Sequence, residues 1–360
     1  MNTSLLVELI KVAIGQDNHL EKNPSINEWE SALLEAEKQA VTGLAFDGIQ
    51  KLPADQYPPQ NILFQWIGLY EQIKAQNRLV NKRTAELHQM FGNDGFRSCV
   101  LKGQGNAQMY PNPSSRTPGD IDLWVDGCRE DIRDYVKVRW PKAQDGNKHL
   151  GVDIFSDVPV EVHYLPSTHI VPQYNKRFQN YIQEQADNQF SNLIKIADSS
   201  DVFSIPTVSF NVIYQMSHIM SHFFVEGIGL RHFIDYYFVL RNVKTAGLDP
   251  KSYEEIFSYL GMKKFAQGVM WVELECLCLE PEYLLVEPNE RIGKVILKEM
   301  QEGGNFGHYD ERYKGRNNGL LMRGIIDTYR LVKLSAVFPS EAMWKIVDKI
   351  NNQKWKLKGA

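Results

Sequence analysis

Asp120-Ile121-Asp122-Leu123-Trp124-Val125 is the segment of this chain best equipped for chemistry. Side chains alternate across a β-strand, so Asp120 and Asp122 share one face while Ile121, Leu123 and Val125 point into the core. Two adjacent carboxylates resist ionising together, and a hard divalent cation relieves that conflict by taking oxygen ligands. An isolated D-x-D pair is more often a solvated strand face, so its neighbours decide the matter. Upstream, Val100-Leu101-Lys102-Gly103 is an apolar strand ending in Lys-Gly and leading into a helix expected over 104–110. Glycine at such a turn lets backbone N–H groups approach a phosphate, with a helix N-terminus and a lysine charge alongside. Downstream, Val160-Glu161-Val162-His163-Tyr164 puts Glu161 and His163 on one face, which supplies a third carboxylate. The ordered set of three strands is more specific than any of its parts.

Together with Tyr110-Pro111 and Arg116, these residues resemble the uncharacterised nucleotidyltransferase-like family of the DNA polymerase β-type nucleotidyltransferase superfamily. The matching motifs lie within residues 100–163, and Leu230-Arg231 with Asp235 carries the resemblance into the C-terminal part. In that superfamily a Gly-Gly/Ser turn binds the triphosphate and three carboxylates hold two divalent metals. By motif position, Gly103 is the turn glycine, and Asp120, Asp122 and Glu161 are the catalytic carboxylates and metal ligands. The resemblance therefore implies Mg²⁺ or Mn²⁺ as cofactor and an NTP, ATP first, as donor of a nucleoside monophosphate to an unidentified acceptor. One ion would activate the acceptor hydroxyl and the other would hold the triphosphate, as in two-metal chemistry generally. Lys102 and Arg116 are candidate nucleotide contacts, Arg116 through its fork of donors.

Two departures stand out. Lys102-Gly103-Gln104 replaces Gly-Gly/Ser, so the hydroxyl grip on the triphosphate is missing, and Glu161 stands where many members carry Asp. They keep open an alternative, a catalytically inactive nucleotide- or partner-binding module of the same fold. A phosphohydrolase using the same carboxylates is disfavoured by the lack of an H-D pair.

Other signals are weaker. His218 and His222 are four residues apart, a spacing that can clasp zinc, but H-I-M-S-H lacks the glutamate of H-E-x-x-H. They read as packing or cleft-lining histidines, and His163, His222, Arg231 and Asp235 are the candidate cleft-lining set. Arg231 and Asp235 are also four apart and most simply pair along one helix, with closure over the cleft as the alternative. Gly303-Gly304-Asn305-Phe306-Gly307, followed by Arg312, Lys314 and Arg316, reads as an interhelical loop, with a basic lid as its alternative.

The elements that must position these groups follow from periodicity. Helical patterning runs from residue 1 to about 95, including a long helix over 62–91 halted by Gly92-Asn93-Asp94-Gly95. Short strand patterns follow at 96–101, 120–125, 149–155 and 159–164, with a helix over 129–138. The last two strands are expected to pair through a tight hairpin at Ser156-Asp157-Val158. From Pro206 onward the pattern is helical again. The expected fold is α+β: a small mixed-sheet, polymerase β-like core at 96–200 between helical regions at 1–95 and 201–360.

Composition narrows the functional classes. Among 360 residues, 40 Lys or Arg stand against 44 Asp or Glu, which gives no reason to expect a broad nucleic-acid surface. Residues 291–360 hold 14 Lys or Arg against 7 Asp or Glu, so a basic tail of +7 offsets a body of −11. Four cysteines are too few for a disulfide framework at this size. No stretch approaches the ~20 apolar residues of a membrane span, and Glu8 and Lys11 interrupt Met1–Ile14, so it reads as an amphipathic helix rather than a signal peptide. A cytoplasmic protein without membrane partners is the expectation.

Overall fold

A computed structural model describes residues 4–197, 199–304 and 320–358. The N-terminal helices are α1 (Leu5–Ile14), α2 (Ile26–Lys38), α3 (Thr42–Lys51) and α4 (Gln60–Asn93). Ser25 and Glu28 form a reciprocal capping box that starts α2. The helix α4 runs 34 residues because no proline interrupts it and its buried stripe is continuous, apolar at Ile62, Trp66, Tyr70, Val80, Leu87 and Phe91 and polar at Asn77 and Thr84. Gly95, at φ +88°, turns the chain out of it.

Five strands then form one sheet: β1 (Ser98–Leu101), β2 (Ile121–Val125), β3 (Gln144–Asp145), β4 (His149–Val152) and β5 (Val160–His163). Their order is β1-β2-β5-β4-β3, antiparallel except for the parallel β2–β5 pair. Between them lie the five-residue α5 (Gly103–Ala107) and α6 (Arg129–Arg139). One face of the sheet, with Val100, Leu123, Val125, Leu150 and Val162, packs on Val80, Leu87 and Phe91 of α4 and on Ile132 and Val136 of α6.

The opposite face is covered as well. Cys99, Leu101 and Trp124 join the larger core, where the Trp124 ring lies 4.6 Å from that of Phe190. Every residue of β2 is therefore buried, whereas alternation predicts a half-buried strand. The reason is topological: helices α7 (Pro172–Ser191) and α8 (Val208–Val225) roof the face the carboxylates occupy. Periodicity passes over α7 because its Gln/Asn-rich sequence leaves only Phe178, Ile182, Gln189 and Phe190 buried. The β4–β5 pair is antiparallel as expected. Its register pairs Val152 with Val160, so seven residues connect the strands rather than a tight turn.

A small hairpin of β6 (Leu193–Lys195) and β7 (Val202–Ser204) leads into the C-terminal helices. These are α8, α9 (Leu230–Thr245), α10 (Tyr253–Tyr259), α11 (Lys263–Leu277), α12 (Glu290–Gly303), α13 (Leu320–Ser335) and α14 (Pro339–Lys358). Apolar side chains of α1–α3 and of α8–α13 belong to one continuous cluster. Of the glycine-rich stretch read as a loop or lid, residues 305–319 lie outside the described residues. No helix among the described residues is long and apolar enough to cross a membrane.

Candidate active site

The strand β1 ends at Leu101, and the chain turns at Lys102 (φ +53°, ψ −134°) and Gly103 (φ +36°). Lys102 thus holds a backbone conformation natural to glycine, which concentrates strain beside the carboxylates. The turn aims its ammonium back at the sheet, 2.9 Å from Asp122 Oδ2. Strand register does the rest: Leu101 pairs with Asp122, and Asp122 with Glu161. Asp120 sits just before β2, and ligand oxygens of Asp120, Asp122 and Glu161 lie within 4.8 Å of one another.

His163, fully buried, closes this group from below. Its Nε2 is 2.9 Å from Asp122 Oδ1 and 3.2 Å from Glu161 Oε2, while Nδ1 is 3.2 Å from the Leu165 carbonyl oxygen. Facing acceptors on both sides, the ring satisfies both only as imidazolium. Burial opposes that charge, but Asp122 and Glu161 raise its pKa nonetheless. Burial likewise works against the Asp122 carboxylate, yet Lys102 and His163 hold its pKa far below the ordinary value. Asp120 is shifted the other way, chiefly by the Asp122 charge and then by burial. The pair thus divides into one firmly ionised carboxylate and one reluctant one, the state a divalent cation relieves.

The facing wall comes from α8, α9 and the loop before β2. Gln215, His218, Arg231, His232 and Asp235 line a narrow polar cleft opposite Lys102, Gly103, Arg116, Gly119, Asp120 and Asp122. Arg116 is buried and forked onto Asp235, with Nε to Oδ1 at 2.8 Å and Nη2 to Oδ2 at 2.7 Å. The Tyr110 hydroxyl donates to the same carboxylate at 2.6 Å. Asn77 of α4 fixes the loop by donating to the Ser114 and Arg116 carbonyls, each at 2.9 Å. Arg231 donates to the Thr117 carbonyl at 3.3 Å. Burial keeps His218 and His232 well below the usual histidine pKa, so the wall presents neutral imidazoles.

The residues singled out from sequence are distributed as follows. Lys102, Asp120, Asp122, Glu161 and His163 meet in one cluster, and Gly103, Arg116, Arg231 and Asp235 line the cleft above it. The two phosphate candidates each hold a carboxylate: Lys102 neutralises Asp122, and Arg116 ties its loop to α9 through Asp235. His222 stands behind His218, ring centroids 4.3 Å apart, and its Nδ1 is 2.8 Å from Glu226 Oε2. His218 and His232 are the histidines that reach the cleft.

Sequence reasoning missed His149, Lys148, Gln215 and His232. Register could have found the first, since extending the β4–β5 pairing sets His149 opposite His163. Lys148 carries no such signal. Its pKa is lowered by burial and by Lys102, and among the described residues no carboxylate lies within ion-pair distance of it.

A mixed sheet bearing three converging carboxylates under a helical roof is the layout expected of a nucleotidyltransferase. The chain belongs to the family described as uncharacterised nucleotidyltransferase, whose model matches residues 25–277. No curated protein matches it. Among solved structures it is similar to an antigenic nucleotidyltransferase-like protein from Paracoccidioides brasiliensis, at 12% identity over 51% of this chain and 92% of that one. The TM-score is 0.29, too low to carry an argument.

Proposed function

We propose that this chain transfers a nucleoside monophosphate from an NTP, ATP first, to an acceptor hydroxyl, with Mg²⁺ or Mn²⁺ held by Asp120, Asp122 and Glu161. The observation that carries this reading is the convergence of three carboxylate oxygens, within 4.8 Å of one another, from the paired strands β2 and β5 and the residue just before β2, in a family member. The donor set fits: oxygen-only ligands with conflicting ionisation suit a hard cation. When bound, such an ion lowers the pKa of the attacking hydroxyl and neutralises charge on the departing pyrophosphate.

The chain's own residues supply the rest. Lys102 balances the Asp122 charge, and its flexible stem would let the ammonium reach a phosphate oxygen of a bound nucleotide. Lys148, a half-buried cation beside the carboxylates, is the second phosphate contact. Gly103 offers its backbone N–H without a side chain in the way. The Arg116–Asp235 fork holds the loop before β2 against α9, and Arg231 donates to the Thr117 carbonyl, so this backbone is fixed along the cleft.

The prior engagement of both Asp122 oxygens by Lys102 and His163 favours a second reading, a nucleotide-binding module without turnover. Incubation with labelled ATP, CTP, GTP and UTP plus cell extract separates the two. A metal-dependent labelled adduct, absent with Asp120→Ala, establishes transfer. Metal-dependent NTP binding without any adduct or pyrophosphate supports the binding module instead.

A further inference from the structure

A second set of donor atoms lies beside the carboxylate cluster. His149 Nδ1 and His163 Nε2 each stand 3.2 Å from Glu161 Oε2, and the three atoms lie within 4.8 Å of one another. The positions are set by backbone: His149 pairs with His163 across β4–β5, and Glu161 is two residues along the same face of β5. We propose that His149, His163 and Glu161 form a site for a borderline transition-metal ion of the Zn²⁺ class, distinct from the all-oxygen site of Asp120, Asp122 and Glu161 but sharing Glu161 with it. The inference does not depend on nucleotidyl transfer.

Three observations carry it. The first is spacing. Around a tetrahedral ion with bonds of about 2.0–2.1 Å, neighbouring donors sit about 3.3 Å apart, and both imidazole–carboxylate separations are 3.2 Å. The second is an unspent donor atom. His149 Nδ1 is buried 3.2 Å from Glu161 Oε2, yet among the described residues it forms no hydrogen bond. Its nitrogen is therefore open to an ion rather than committed to a hydrogen bond. The third is support from behind. Nδ1 of His163 faces the Leu165 carbonyl at 3.2 Å, the outer hydrogen bond that commonly fixes the tautomer of a metal-ligating imidazole, and an ion would displace the Nε2 proton that otherwise faces Asp122.

Ligand chemistry separates the two sites. Two imidazoles and a carboxylate suit zinc-class ions, whereas Mg²⁺ prefers oxygen alone. Three protein donors leave a fourth position for a solvent or substrate oxygen. With Glu161 common to both sites, an ion in one changes the charge offered to the other.

The test uses the full chain, stripped of metal by chelator dialysis and titrated with Co²⁺ as a coloured zinc surrogate and with Zn²⁺ by calorimetry. The expected result is one ion bound with the intense visible bands of tetrahedral Co²⁺. His149→Ala should weaken Zn²⁺ binding at least tenfold while leaving Mn²⁺ binding within about twofold, and Asp120→Ala should do the reverse. Weak octahedral Co²⁺ bands alone, no Zn²⁺ binding, or Zn²⁺ binding that survives His149→Ala and disappears with Asp120→Ala would each overturn the proposal. His149→Gln repeats the measurement if the alanine variant does not fold, and the wild-type Co²⁺ spectrum stands without any variant. Failure of the carboxylate reading shows separately, as Mn²⁺ binding that persists in Asp120→Ala.

Discussion

At the scale of single residues, Lys102 has the most to explain. Its ammonium is 2.9 Å from Asp122 Oδ2, in the position where a cation would be neutralised by the same carboxylate. Like charges ~4 Å apart at an effective dielectric near 20 repel by about 4 kcal/mol. Even after the side chain relaxes, Lys102→Met should therefore tighten Mn²⁺ binding about tenfold or more in calorimetry. The same change leaves Asp122 buried without its partner, so the metal-free variant should lose roughly 3 kcal/mol of stability and regain part of it with Mn²⁺. Glu273 of α11 makes an independent case. It is fully buried, neither carboxylate oxygen has a hydrogen bond among the described residues, and burial raises its pKa well above the ordinary value. The folded state then holds this proton more tightly than the unfolded chain. Its contribution is full below the unfolded pKa of about 4.3 and is lost as pH rises toward the folded value. Glu273→Gln should accordingly gain on the wild type by about 1–3 kcal/mol at pH 7.5 and by much less at pH 4.5 in urea unfolding.

At the scale of elements, the Arg116–Asp235 fork joins the loop before β2 to α9 across 119 residues of sequence. Removing one partner strands a buried charge, so Asp235→Ala should cost about 3–5 kcal/mol in urea or thermal unfolding. Gly43 of α3 supports the same loop from the other side, because a Cβ there would run into the Ser115 carbonyl oxygen. Gly43→Ala should therefore destabilise by about 1–3 kcal/mol. These contacts explain what sequence reading can and cannot reach. The D-x-D strand, the Glu161 strand, α6 and most C-terminal helices were legible, because alternation and 3.6-residue periodicity are local signals. Asp235 was visible as a charge four residues from Arg231, but its partnership with Arg116 depends on how α9 folds back over the sheet. The pairing of Lys102 with Asp122 is likewise hidden, because it depends on the turn, with its positive φ, that directs the side chain back to the sheet. The buried state of β2 was hidden because its roof, α7 and α8, is placed by tertiary packing alone.

At the scale of the molecule, the N-terminal helices complete the core of the C-terminal ones instead of standing apart from it. Within α1, Leu6, Leu9, Ile10 and Val12 are buried, and at about 1.5–3 kcal/mol each they contribute roughly 6–12 kcal/mol. Deleting α1 should therefore abolish cooperative unfolding, since that loss is comparable to the whole stability of a typical domain. The helical mass also forms the wall that faces the carboxylates, through Gln215 and His218 of α8 and Arg231, His232 and Asp235 of α9. The central claim is that Asp120, Asp122 and Glu161 hold a divalent cation that recruits an NTP, and calorimetry of ATP binding with and without Mn²⁺ tests it most directly. The wild type should bind ATP only with the metal, and Asp120→Ala with Asp122→Ala should abolish that binding in a folded variant. Binding that ignores the metal, or that survives the double substitution, would contradict the claim.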